Sequence, residues 1–152
     1  MKRQLVRLDA EENIRRFQAG LLPPDKEEWH LLVPAEAQEA LGKREVQRQS
    51  VIFEILKSEK NYLADLELVQ EVFVDSLRRY NPPVVDRDRL SGFIREVFWN
   101  IDAITLHHKR GLSRLFARQK EQHPVILSIA DILLDMTLQL RDDYESYIKH
   151  YP

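Results

Sequence analysis

The chain has 152 residues, 43% of them apolar and 32% charged, which suits a folded domain rather than a disordered segment. A net charge of −2 offers no general attraction to nucleic acid or anionic lipid, and the absence of cysteine removes disulfides and thiolate metal sites. No apolar run approaches the roughly 20 residues of a membrane helix, and the charged start MKRQLVRLDAEENIRR lacks the apolar centre of a signal peptide.

Only four glycines occur, and the long segments carry a 3.6-residue apolar period rather than strand alternation. An all-α fold is expected. Residues 1–20 form a charged, weakly amphipathic segment ending at Gly20. Leu21 to Gly42 is punctuated by Pro23, Pro24 and Pro34; it predicts an irregular stretch that packs Trp29 and Leu31, then a short helix. Residues 1–42 thus make a lead-in with short helices.

A first long helix is predicted from Lys43 to Arg79, closed by the proline-rich NPPVVDRD. A second is predicted from Arg89 to Gln122, with Leu90, Ile94, Val97, Ile101, Ile104, His108 and Leu115 on one face and His123-Pro124 at its end. VILSIADILLDM predicts a buried helix, and LQLRDDYESYIKHYP an amphipathic one. Long helices joined by short proline-marked loops imply an elongated antiparallel helical bundle.

Within the first long helix, Ile52, Ile55, Leu56, Tyr62, Leu63 and Leu66 share one apolar stripe, and Glu59 sits inside it. A carboxylate there needs a donor, and the simplest expectation is a structural buried carboxylate served by a later helix. Glu54 lies about 140° away around the helix, beside Asn61 and Asp65. On the residues alone, Glu54 is one more charge on a solvated face.

No acid/base pair suggests a catalytic residue, and no glycine-rich phosphate loop suggests direct nucleotide binding. His107, His108 and His123 lack metal-ligand spacing, so no metal and no cofactor are expected; His108 fits a half-buried core histidine. Asp142-Asp143 suits a charged turn better than a Mg²⁺ site. Lys109, Arg110, Arg114, Arg118 and Lys120 suit a solvated helix face. Gly111 interrupts the apolar stripe of the second helix; it predicts a space between helices, at a cost of about 1 kcal/mol relative to alanine.

EVQRQSVIFEILKSEKNYLADLELV, Glu45 to Val69, resembles the first conserved region of the Dbl-homology domain, the exchange module of Rho-family guanine-nucleotide exchange factors. The family pattern has Arg-Gln, an apolar pair, Glu-Leu or Glu-Ile, Thr-Glu, an aromatic residue and Asp-Leu. Arg48-Gln49, Glu54-Ile55, Ser58-Glu59, Tyr62 and Asp65-Leu66 fall at those places, with Ser58 in place of threonine. WHLLVP is similar to the lead-in of fungal Rho exchange factors, and Phe93 to Leu115 to the second conserved region.

The resemblance implies that residues 43–152 form a partial Dbl-homology domain lacking its third conserved region, which is not matched before Pro152. It implies a Rho-family small GTPase as partner, with GDP release promoted by remodelling of the switch regions. Glu54 would meet the first switch, with Ser58, Asn61 and Asp65 on the same face. Glu59 would be architectural. It implies a cytoplasmic protein, recruited to the cell cortex and touching membrane only through neighbouring domains. Without the third region, Ile52, Leu56 and Leu63 are expected to expose an apolar strip. The competing expectation is an exchange-inactive helical adaptor or oligomerisation module derived from a truncated Dbl-homology domain.

Overall fold

A computed structural model describes the backbone of residues 2–151 and the side chains of residues 10–151. Every regular element among the described residues is helical. They are α1 (Lys2–Gln18), α2 (Trp29–Leu32), α3 (Ala35–Leu41), α4 (Lys43–Val69), α5 (Ser76–Arg79), α6 (Arg87–Phe98), α7 (Ile101–Gln122) and α8 (Ala130–His150). A π-helical stretch, Gln70–Asp75, joins α4 to α5, and a 3₁₀ turn spans Pro24–Lys26. No helix among the described residues is long and apolar enough to cross a membrane.

The chain divides into two compact units. One comprises the chain up to Ser58 together with Leu112–Ala130; the other comprises Glu59–Gly111 together with the chain from Asp131 onward.

In the first unit, α1 stops at a Schellman motif. The Gly20 N–H donates to Phe17 O at 3.0 Å and the Leu21 N–H to Arg16 O at 2.8 Å. The motif needs a left-handed residue, and Gly20 supplies φ +68°. The chain can then turn and bury Trp29. The core of this unit is Ile14, Phe17, Trp29, Leu32, Val33 and Phe53, with Val46 and Phe116 packed against it. Phe17 lies with its ring centroid 4.5 Å from that of Phe53. The Trp29 Nε1–H donates to Pro124 O at 3.1 Å. Residues 1–42 supply five of the six buried core residues, Phe53 being the sixth. Leu31, expected to pack beside Trp29, is exposed instead.

VILSIADILLDM is helical only from Ala130. Val125–Ile129 has no regular structure, yet Ile126 and Ile129 are buried. Both backbone groups of Ile126 and the Leu127 carbonyl are paired by side chains of α4, while Gln122 and Arg118 of α7 serve Leu127 N and Ser128 O. The Gln49 amide donates to Ile126 O at 2.8 Å and accepts from Ile126 N at 2.9 Å. Arg48 donates to Ile126 O at 2.8 Å and to Leu127 O at 2.9 Å. These bonds replace a helical ladder.

In the second unit, the predicted helix from Arg89 to Gln122 is two helices. It breaks at Trp99, a bulky residue at φ +46°, ψ −124°. Distant partners hold the break. The Trp99 Nε1–H donates to Ser146 Oγ at 3.0 Å, and the indole stacks on His150 at 4.0 Å. The Asn100 amide donates to Asp143 O at 2.9 Å. Asp142 and Asp143 accordingly lie inside α8, not in a turn. The first long helix, predicted to Arg79, also loses its regular register at Gln70, where it widens to π geometry. Leu63, Leu66, Val74, Ile104, His108, Gly111, Ile132, Met136 and Leu140 are the unit's buried residues among those described.

Two expectations about apolar surface are corrected. Ile52, Leu56 and Leu63 are buried; the exposed apolar residues of α4 are Val51, Tyr62 and Leu68. Gly111 leaves no space either: the side chain of Met136 lies where its Cβ would be.

Candidate functional site

In the first unit, the candidate face of α4 carries Glu54 and Ser58, one turn apart and both exposed. Helical spacing puts such a pair on one face. Glu54 is 51% exposed and has one charged neighbour, with its Oε1 3.7 Å from Lys57 Nζ. Lys57 is held elsewhere too. It donates to Glu27 O at 3.0 Å and lies 3.4 Å from the Glu28 carboxylate. The ammonium is thus shared between the lead-in and Glu54, whose carboxylate is about half exposed. Lys57 was not among the expected site residues. An apolar-stripe reading passes over it, because two of its partners, Glu28 and Glu27, lie 29 and 30 positions away.

In the second unit, α4 carries Asn61 and Asp65, again one turn apart and exposed. Glu59 is only 15% exposed, and its Oε1 lies 2.5 Å from His108 Nδ1 on α7. An ionised carboxylate can only accept, so Nδ1 carries the proton in that pair. The second ring nitrogen, Nε2, is 2.8 Å from Tyr144 Oη, and Tyr144 Oη is 2.8 Å from Tyr62 Oη. A hydrogen-bonded chain therefore runs from a half-buried acid to an exposed tyrosine. Burial, with the Tyr62 hydrogen bond, raises the pKa of Tyr144, keeping its phenol protonated. The partner of Glu59 lies within this chain, on the helix that carries the second resembling segment.

At the start of α4, Glu45 binds Arg48 Nη2 at 2.6 Å and Gln49 Nε2 at 2.9 Å. The Arg48 hydrogen bond leads in lowering the Glu45 pKa to about 2. The carboxylate orients the two side chains that hold Ile126. Arg48 and Gln49, which carry the first part of the family resemblance, are thus structural.

The histidines are separately engaged. His107 Nε2 is 3.1 Å from Asp143 Oδ2. Burial pushes His123 down to about 4, against a hydrogen bond to the backbone of Leu32. Among the described residues no group of three or more histidine, aspartate or glutamate side chains is placed to hold a metal.

A family model for the RhoGEF domain matches residues 51–152. The Rho1 guanine nucleotide exchange factor 3 of Schizosaccharomyces pombe is 34% identical over 125 residues, covering 82% of this chain and 10% of that protein. The RHO1 GDP-GTP exchange protein 2 of Saccharomyces cerevisiae is 32% identical over 154 residues, covering 98% of this chain and 11% of that protein. Mouse Rho guanine nucleotide exchange factor 1 is 29% identical over 119 residues, covering 75% of this chain and 12% of that protein. The chain spans about a tenth of the length of the curated relatives it matches. No solved structure gives a significant match. With two thirds of its residues inside the family match, and fungal relatives above 30% identity, the chain belongs to the RhoGEF domain family.

Proposed function

We propose that the chain is the exchange module, or part of it, for a Rho-family small GTPase, with a Rho1-type protein as first candidate. Family membership is the observation that carries this reading, and the names of the fungal relatives support the choice of GTPase. The mechanism needs no covalent chemistry. The module binds best to a GTPase whose switches are displaced and whose nucleotide is lost. It shifts the population towards that state, and GTP then enters by mass action. A half-exposed carboxylate at Glu54, whose one charged neighbour is Lys57 at 3.7 Å, suits contact with the first switch. Ser58, Asn61 and Asp65 are secondary contacts. On this reading the module works in the cytoplasm, and recruitment to the cell cortex falls to other parts of the protein.

Release of a fluorescent GDP analogue from a Rho1-type GTPase tests the reading. The chain should accelerate release, and Glu54→Ala should remove most of the acceleration while leaving the thermal midpoint nearly unchanged. Binding without release would favour the adaptor alternative. Neither binding nor release would reject the proposal.

A further inference from the structure

The second unit contains a cleft of about 390 Å³ between the π-helical stretch with α5 on one side and α6 on the other. Such a volume is within the range of small-ligand sites. Apolar residues, Val74 and Ile94 among them, line part of it. Arg78, Arg87 and Arg95 also line it, with Asp102 the one acid among its lining residues. Arg87 and Arg95 are eight residues apart, so they lie on one face of α6. Arg78 makes a single 3.3 Å contact with Asp75. Arg87 and Arg95 make no ion pair among the described residues. Arg78 has a partner in Asp75, so Arg87 and Arg95 are the cations of this cleft without an ion-pair partner among the described residues, and an anion there would be attracted to both.

A second observation concerns the same cleft. Trp99 forms its corner, in a backbone conformation that a bulky residue rarely adopts. Its indole is pinned by Ser146 and His150, so the surrounding fold maintains the strain. Strain of this kind concentrates at binding and switch sites.

We propose that this cleft binds a phosphate monoester. The guanidinium fork matches phosphate oxygens in geometry and charge. Arg87 and Arg95 supply the main hydrogen bonds, and Arg78 adds a third positive charge. The anion is held by side chains rather than by a glycine-rich backbone loop. The site is independent of the proposed exchange function and stands or falls without it.

Nuclear magnetic resonance titration of the full chain tests it, at constant ionic strength, with inorganic phosphate and with inositol 1-phosphate. The Trp99 indole and the Nε–H signals of Arg87 and Arg95 should shift and saturate. Arg87→Gln with Arg95→Gln should weaken binding by about tenfold or more. Both residues are exposed, so the variant should fold. Arg110→Gln, an exposed control outside the cleft, should bind normally. Co-sedimentation with phosphatidylcholine vesicles, with and without phosphatidylinositol 4-phosphate, separates the sources. Capture by the phosphorylated vesicles, lost in the double variant, identifies a lipid headgroup; saturable binding of the soluble esters alone identifies a free metabolite. Equal shifts with chloride, equal weakening by Arg110→Gln, or no saturable shift would each overturn the proposal.

Discussion

Glu59 and His108 meet at 2.5 Å, an acid from the apolar stripe of α4 and a buried histidine from α7. The pair reconciles a charge with a mostly buried position. His108 in turn passes its second nitrogen to Tyr144, so no polar atom of the ring is left without a partner. Removing one member should strand the other.

Glu59→Ala should therefore destabilise the 152-residue chain by about 3 kcal/mol. Glu59→Gln should cost less, about 1 kcal/mol, because an acceptor remains. Tyr62→Phe, at the exposed end of the chain of hydroxyls, should cost under about 1 kcal/mol. Urea titration with an unchanged m-value is the check. A Glu59→Ala chain as stable as its parent would mean that the contact contributes nothing.

Gln49 predicts a larger effect than its neutrality suggests. It is 1% exposed and satisfies both backbone groups of Ile126. Gln49→Ala leaves the Ile126 N–H unpaired in the core, and its carbonyl keeps only Arg48. The cost should be about 3 kcal/mol. Hydrogen exchange should show the Ile126 amide losing protection well before the amides of α7. Gln49→Glu keeps an acceptor but loses both donors and should not rescue.

Gly111 should not tolerate the larger residue that its helical position invites. A Cβ there would overlap the Sδ and Cε atoms of Met136 and come within 2.8 Å of its Cγ. Overpacking costs about 1–3 kcal/mol, against about 1 kcal/mol of helix propensity gained. Gly111→Ala should be destabilising by about 1 kcal/mol, and Gly111→Leu by more. Met136→Ala should soften the penalty, and a double-mutant cycle would read that coupling. Stabilisation by Gly111→Ala alone would mean that Met136 repacks freely.

His123 links stability to pH. Its folded pKa is lowered to about 4 from an ordinary 6.5. Above 6.5 it is neutral in both states. Between about 4 and 6.5 the unfolded chain binds a proton that the folded chain refuses, so stability falls as pH falls. Below about 4 both states are protonated and the contribution, about 3 kcal/mol, is gone. His123→Gln should flatten this part of the stability profile relative to the parent chain. Parallel profiles for the two proteins would show that His123 does not titrate in this way.

Much of the fold was legible because helices are local. Periodicity placed helix over α4, α6, α7 and α8, though it ran α6 and α7 together and read α8 as two segments, and proline marked the loops around them. Gly20 announced the end of α1, since a Schellman motif needs a residue that accepts positive φ. The core-facing phase of Glu59 followed from 3.6-residue spacing alone, as did the open phase of Glu54. The order of residues from Arg48 to Leu66 carried the family resemblance.

Other features depend on partners remote in the chain, which no local pattern encodes. Trp99 breaks a predicted helix because Ser146, His150 and Asp143 hold it and Asn100 in place from α8. Val125–Ile129 stays non-helical where Gln49 and Arg48 satisfy Ile126 and the Leu127 carbonyl from 77 to 79 residues away. The space expected at Gly111 is filled by a side chain 25 positions later, and flexible methionine was free to enter it. Glu59 needed a donor by sequence; only the tertiary packing of α7 against α4 within the second unit made that donor His108, since which side chain reaches a buried charge depends on how helices dock.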